Sequence, residues 1–123
     1  MRRVVITGLG ALTPIGEDVD SFWEALKSGK SGAAPITKFN TEKFKAKFAC
    51  ELKNFNALDF FDRKEVRKYD PFSQYALVSS DQAILDAEID FETIDRTRAG
   101  VIWGSGNGGI QTFQDQMKEF CEG

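Results

Sequence analysis

The sequence predicts an α/β fold in which layered helices surround a mostly parallel sheet. Two short apolar runs, Val4–Ile6 and Ala99–Trp103, are followed closely by glycines, which is typical of strands buried on both faces. Segments with the apolar spacing of helices follow both runs. The resulting order of strand, helix, long excursion, helix, strand and helix indicates such a layered fold. Because two core strands make a poor sheet, we expect the chain to be a truncated part of a longer protein.

Two helices are predicted with defined starts. The first runs from Asp18 to Lys27, and Gly29 is placed to end it. Its apolar residues fall at i, i+3, i+4 and i+7 and form one stripe: Val19, Phe22, Trp23 and Leu26. The second begins at Asp70-Pro71, a capping acceptor followed by proline at the first helical position, and runs to about Ala87. Small residues lie on several of its faces, so we expect it to pack centrally.

The segment from Ser31 to Phe61 has a different character. Phenylalanines alternate irregularly there with lysines and other polar residues, at positions 39, 44, 48, 55, 60 and 61. Disordered segments are poor in aromatic residues, so we expect an ordered excursion pinned by ring contacts, with a strand near Phe48–Leu52. A short helix over Asp62–Lys68 follows. A last helix, after Gly109, carries Ile110, Phe113, Met117 and Phe120 at helical spacing.

Composition argues against several classes of function. The 123 residues carry 16 lysines and arginines against 19 aspartates and glutamates, a balance that does not suit a general nucleic-acid binder. No run is long enough to cross a bilayer, so no membrane association is expected. The chain has no histidine, which removes histidine general bases and metal ligands from anything it does alone.

The two cysteines, Cys50 and Cys121, do not describe a disulfide framework and suit a reducing cytosol. Cys50 falls in the predicted strand, where a free cysteine behaves as a small hydrophobic residue. Neither cysteine has a neighbouring base, so we assign neither a chemical role, and we expect no metal site.

Residues 104–109, Gly-Ser-Gly-Asn-Gly-Gly, satisfy the pattern G-x-G-x-x-G between a predicted strand and a helix. Such a turn can seat a pyrophosphate on a helix N-terminus, which would make the chain part of a nucleotide-binding α/β domain. The alternative is a turn where another backbone or an acyl chain approaches closely. We favour the second interpretation because an isolated match to this pattern is weak.

Arg63, Lys64, Arg67 and Lys68 form the only dense basic cluster. On a helix, the last three stand at i, i+3 and i+4 and share one face. Most charge runs are solvated helix surface. Like charges at these spacings repel, however, so in an acidic chain the cluster also suits the docking of an acidic partner. The residues alone leave both interpretations open.

Five segments in register resemble type II β-ketoacyl-[acyl-carrier-protein] synthases, condensing enzymes of the thiolase fold. The opening segment, Arg3–Gly16, resembles the start of that family, and the others are Ser28–Gly32, Phe39–Cys50, Asp62–Asp70 and Val101–Gly109. Each motif is modest alone, but their shared order makes the match specific. Polyketide ketosynthases share parts of the pattern and are the nearest alternative.

The resemblance implies that residues 1–123 are the N-terminal portion of a cytoplasmic, homodimeric subunit about three times as long. It implies an acyltransferase that elongates fatty acids by decarboxylative Claisen condensation of malonyl-acyl-carrier protein with an acyl-enzyme thioester. A cysteine at a helix N-terminus would carry the acyl group, and two histidines would assist decarboxylation. These three residues lie beyond Gly123 in the family pattern, so no catalytic residue is assigned here. No cofactor is implied.

Two groups of site residues carry over from the resemblance. Lys64, Arg67 and Lys68 fall on positions that meet the acyl carrier protein. Gly106, Asn107 and Gly108 fall on the turn that borders the acyl pocket. Many elongating members have a bulky aliphatic residue at the position of Asn107, and we expect the amide here to hydrogen-bond to backbone around the turn. The alternative is that Asn107 only serves the turn, since asparagine tolerates left-handed backbone angles.

Overall fold

The computed structural model describes residues 2–123. These residues form four α-helices and one small antiparallel sheet. The helices are α1 (Val19–Lys27), α2 (Arg63–Lys68), α3 (Pro71–Asp86) and α4 (Ile110–Glu122). The strands are β1 (Ala34–Pro35) and β2 (Phe48–Ala49), with Ala34 opposite Ala49 and Pro35 opposite Phe48. Two single 3₁₀ turns cover Ala57–Asp59 and Arg96–Arg98. None of the helices in this part of the chain is long and apolar enough to cross a membrane.

The predicted helices are confirmed to within a residue or two, and the starts of α1 and α2 are encoded locally. Asp18 accepts a hydrogen bond from the Ser21 N–H at 2.7 Å, and the Ser21 hydroxyl accepts one from the Asp18 N–H at 3.3 Å. The Ser21 N–H holds the pKa of the Asp18 carboxyl below its ordinary value of 3.8. At α2, Asp62 accepts from the N–H groups of Lys64 and Glu65 at 2.7 and 2.8 Å.

Helix α3 is the centre of the packing, as its small residues predicted. It supplies three of the four buried residues among 2–123, namely Gln74, Val78 and Ser79, and the fourth is Ala25 of α1. The chain's opening segment crosses it so closely that a Cβ at Gly8 would overlap the Ala83 carbonyl. A Cβ at Gly10 would likewise overlap the carbonyl of Ser79.

Side chains of α3 hold the opening segment in place. The Leu9 N–H donates to the Asp86 carboxylate at 2.8 Å, and the Ala11 N–H donates to the Gln82 side-chain oxygen at 2.9 Å. The amide nitrogen of Gln82 in turn donates to the Glu17 carbonyl at 2.7 Å. These bonds fix the backbone at Leu9, Ala11 and Glu17 against α3.

The two runs expected to be strands of a parallel sheet do not form strands within residues 2–123. Val4–Ile6 and Ala99–Trp103 make no ladder, and their apolar side chains are exposed, Val4 at 91% and Ile102 fully. A strand needs a neighbour for its backbone hydrogen bonds, and no such neighbour lies beside either run in this part of the chain. The predicted strand Phe48–Leu52 is also shorter than expected and ends at Ala49.

The aromatic excursion is ordered by ring contacts, as predicted. Phe39 and Phe44 meet edge to face with their centroids 5.3 Å apart. Phe55 stacks on Phe60 at 5.5 Å and meets the edge of Tyr75 at 5.0 Å, which ties the excursion to α3. Such aromatic pairs favour offset-stacked and edge-to-face geometries.

Candidate functional site

The basic surface, which we define as Lys64, Arg67 and Lys68, lies on α2 and is exposed to solvent. Within residues 2–123 the ion pairs are Lys27–Glu24 and Arg96–Glu92, so neither involves this surface. Only Lys68 has a close contact, with its Nζ 5.3 Å from the centroid of the Tyr69 ring. The structure therefore presents three cations on one exposed face, as the sequence predicted.

Gln74 of α3 fixes the end of α2. Its side-chain nitrogen donates to the Tyr69 carbonyl at 2.8 Å and to the Val66 carbonyl at 3.3 Å. These carbonyls lie in and just after the last turn of α2, where no intrahelical partner is available. Gln74 is only 6% exposed, and burial strengthens the constraint because an unpaired carbonyl there would be costly. This role was not predicted from the sequence, because it depends on how α3 packs against the end of α2.

The glycine turn, residues 104–109, lies directly before α4. Gly106 and Asn107 are exposed and Gly108 is half-buried. Gly108 has a φ of +59°, a conformation that favours glycine, and its N–H donates to the Ser105 hydroxyl at 3.3 Å. A Cβ at Gly108 would stand 3.9 Å from the Phe72 ring of α3. The turn therefore rests against the start of α3.

Two roles in the turn were considered for Asn107, a hydrogen bond from its side chain to the backbone and a left-handed backbone position. The structure shows neither in the part of the chain that it describes. Among residues 2–123 its side chain makes no hydrogen bond to the turn, whose side-chain acceptor is Ser105. The left-handed position is also Gly108 and not Asn107. The reason is that glycine adopts positive φ without a Cβ penalty, so the adjacent asparagine is not needed there. The Asn107 amide is left exposed.

A carboxylate stands at the start of α4. The Asp70 Oδ1 atom accepts a hydrogen bond from the Thr112 hydroxyl, and a Cβ at Gly109 would overlap the Asp70 carboxyl group. Asp70 was predicted to cap α3, but its side chain makes no cap hydrogen bond to that helix. A pyrophosphate at this helix N-terminus would meet the negative charge of Asp70, which argues against the nucleotide-binding interpretation of the glycine turn.

The two cysteines are both free and exposed. Cys50 was predicted to lie within a strand, but β2 ends one residue earlier, at Ala49, and Cys50 is exposed. Cys121 is exposed near the end of α4.

Residues 1–121 match the family described as the β-ketoacyl synthase N-terminal domain, and the chain belongs to that family. It is 46% identical over 121 residues to 3-oxoacyl-[acyl-carrier-protein] synthase 2 of Staphylococcus aureus (strain COL), covering 98% of this chain and 29% of that protein. The enzyme of the same name from Synechocystis sp. is 41% identical over 116 residues, which are 94% of this chain and 28% of that protein. The chain thus spans less than a third of these curated relatives.

Solved structures with the same fold are also ketosynthases. A β-ketoacyl synthase from Burkholderia phymatum STM815 superposes with a TM-score of 0.73 at 31% identity, over 96% of this chain and 30% of that one. A type II polyketide ketosynthase, solved in complex with its acyl-carrier protein, superposes with a TM-score of 0.75 at 26% identity. The match covers 96% of this chain and 30% of that one. The ishigamide ketosynthase/chain length factor superposes with a TM-score of 0.68 at 34% identity, over 76% of this chain and 23% of that one. The chain has the fold of the N-terminal part of such enzymes.

Proposed function

We propose that this chain is the N-terminal part of an acyltransferase subunit that elongates fatty acids. The reaction is the decarboxylative condensation of malonyl-acyl-carrier protein with an acyl-enzyme thioester. Loss of CO₂ from the malonyl group leaves a carbanion, which attacks the thioester carbonyl and expels the enzyme thiolate. The observation that carries the proposal is 46% identity to a 3-oxoacyl-[acyl-carrier-protein] synthase 2 along 98% of this chain.

The nucleophile and the acid-base groups of this reaction belong, in our proposal, to parts of the subunit outside residues 1–123. The chain has no histidine, and Cys50 and Cys121 are both free and exposed. What these residues supply is support for the site, and no organic cofactor is required.

We propose that the parallel sheet of the layered fold forms when the exposed runs at Val4–Ile6 and Ala99–Trp103 find neighbouring strands. A groove of about 450 Å³ supports this, because it is lined by the opening segment, by α3 and by residues 100–103. Residues 7, 8 and 10, just after the first run, and the second run therefore border the same groove beside α3. Covering their exposed side chains would supply the burial that this part of the chain lacks.

The basic surface is, in this proposal, the docking site for acyl carrier protein. Its three cations are exposed and have no ion-pair partner among residues 2–123, so they are available to an acidic protein. The relative solved with an acyl-carrier protein bound to its ketosynthase supports a partner of that kind. The glycine turn, with Gly106, Asn107 and Gly108, borders the acyl pocket.

We propose the fatty-acid pathway over a polyketide pathway, because the curated relatives at 41–46% identity are 3-oxoacyl-[acyl-carrier-protein] synthases. We further propose a cytoplasmic homodimer, which suits two free cysteines and the pattern of the family.

Charge reversal on the basic surface tests the docking role in the full-length subunit. With Lys64, Arg67 and Lys68 all changed to Glu, we expect kcat/KM for acyl-carrier-protein substrates to fall about 10-fold or more at low salt, mainly through slower association. The loss should shrink with added salt, because exposed charges are screened over about 8 Å at physiological ionic strength. Steady-state kinetics at several salt concentrations measure this.

A matched control changes three exposed lysines of the excursion, Lys38, Lys43 and Lys45, to Glu. It alters net charge equally but leaves α2 intact, and it should retain most carrier-dependent activity. Acyl donors without a carrier should be used equally by both variants and the parent. An equal loss on both kinds of donor would show that the fold was damaged and would contradict the docking role.

Substitutions at Asn107 test the acyl-pocket role. Asn107→Ile restores the aliphatic character common in elongating members, and Asn107→Ala removes the amide without adding bulk. If the side chain borders the pocket, kcat/KM should shift with donor length, with the longest donors changing most and the shortest least. Burying an unpaired amide beside hydrocarbon costs about 1–3 kcal/mol, which corresponds to roughly 5- to 150-fold in the ratio of kcat/KM for a long donor to kcat/KM for a short one. Equal effects at every length, or none, would remove Asn107 from the pocket.

A further inference from the structure

Asp70 belongs to two helices at once. Its backbone carbonyl accepts from the N–H groups of Ser73 and Gln74 at 2.9 and 3.0 Å, which begins α3. Its side chain makes no bond to α3 and instead accepts from the hydroxyl of Thr112, 42 residues further along the chain. A single residue therefore joins the start of α3 to the first turn of α4.

The start of α4 has no side-chain cap of its own. Its N-cap residue is Gly109, which carries no side-chain acceptor, and Thr112 occupies the third helical position. The Asp70 carboxylate fills the space that a side chain at position 109 would need. A negative charge at a helix N-terminus is favourable, because the backbone dipoles there point their positive ends at it. The Asp70 carboxylate thus lies beside the N-cap residue of α4 and binds the Thr112 hydroxyl, although it comes from the start of α3.

The glycine turn lies close to two residues at the start of α3, Asp70 and Phe72. Phe72 approaches the turn at Gly108, and Asp70 approaches it at Gly109. Both residues come from the start of α3, whose Gln74 also binds the carbonyls that end α2. The basic surface and the glycine turn are therefore tied to the same short stretch of chain.

We propose that Asp70 is a positioning residue that holds the glycine turn against the start of α3 and thereby sets the wall of the acyl pocket. The effect on the acyl pocket rests on the proposed function, whereas the effect on the glycine turn does not. Asp70 touches no reacting atom. Losing its carboxylate frees Gly109 and the first turn of α4 while the start of α3 is retained, because the backbone of Asp70 makes those bonds.

Hydrogen exchange in the full-length subunit tests the structural part. With Asp70→Ala, amides in residues 108–113 should exchange about 5-fold faster, as expected from the loss of a hydrogen bond that holds the first turn of α4. Asp70→Asn keeps an oxygen acceptor for Thr112 and should retain most of the protection. Asp81→Ala removes an exposed carboxylate of α3 that makes no such contact and serves as the control. Unchanged exchange in Asp70→Ala would overturn the proposal, whatever the enzyme's activity.

A double-mutant cycle with Gly109→Ala tests the contact more specifically. In the parent, a methyl group at position 109 overlaps the Asp70 carboxylate, so Gly109→Ala should loosen the turn. In the Asp70→Ala background the obstruction is absent, and the same change should have a smaller effect on exchange in residues 108–113. Effects that simply add would mean that the two residues do not touch, and would overturn the proposal.

Chain-length selectivity tests the consequence for the pocket. The ratio of kcat/KM for a long to a short acyl donor should fall at least severalfold in Asp70→Ala and recover in Asp70→Asn. A uniform fall at every length would show a general loss of stability and overturn the pocket role. If the parent itself forms no β-ketoacyl product, the proposed function fails, whereas altered exchange in Asp70→Ala still supports the positioning role.

Discussion

A polypeptide of residues 1–123 alone is expected to unfold without a cooperative transition and to bind hydrophobic dyes. Among residues 2–123 the buried apolar side chains are Ala25 and Val78, whereas large apolar side chains such as Ile102, Phe113 and Phe120 are exposed. A fully buried core residue normally touches 6–12 others, and a chain with so few of them gains little from apolar burial. Exposed apolar surface on this scale also favours association.

Thermal scans by circular dichroism, with dye binding in parallel, measure this outcome, and the full-length subunit serves as the control. A sharp, concentration-independent transition in a soluble monomer would contradict it.

The same polypeptide should form no β-ketoacyl product from acyl- and malonyl-carrier protein, because it has no histidine and no assigned nucleophile. Product above the buffer blank would contradict the assignment of the chemistry to the rest of the subunit.

The helices were predictable because their signals are local. Asp18 and Asp62 lie within three residues of the N–H groups they cap, so the sequence alone defines both starts. Strands have no such local signal, because a ladder needs a partner that can come from anywhere in the chain. The run Val4–Ile6 has the composition of a buried strand, yet in residues 2–123 it is exposed and unpaired. Its composition indicates that it would be stable as a buried strand, but does not show whether a pairing strand lies beside it.

The site residues divide in the same way. The basic surface was predictable because helical spacing alone puts Lys64, Arg67 and Lys68 on one face. The hydrogen bonds made by Gln74 and Asp70 could not be predicted in this way, because each joins two different helices. Asp70 even carries a misleading local signal, because an aspartate before a proline suggests a cap for its own helix. Only the arrangement of the helices shows that its carboxylate serves α4 instead.

The second large effect is expected at the crossing of the opening segment over α3. In the full-length subunit, Gly10→Val should lower stability by about 3 kcal/mol or more, because overpacking against an immovable backbone forces the chain to shift. A Cβ at this position meets the carbonyl of Ser79 and also stands 3.0 Å from the Ala83 nitrogen. Neither atom can rotate away, as both belong to the backbone of a central helix.

Displacing the opening segment also breaks contacts that depend on its position. Leu9 and Ala11 donate to Asp86 and Gln82 over short distances, so a shift of the backbone between them weakens both bonds. Gly10→Ala should show the same effect in smaller measure, which keeps the prediction testable if the valine variant does not fold. Gly100→Ala is the matched control, because a Cβ there meets nothing within 4 Å and the backbone has no positive φ. Denaturant unfolding that finds Gly10→Ala as stable as Gly100→Ala would refute the close crossing of this segment over α3.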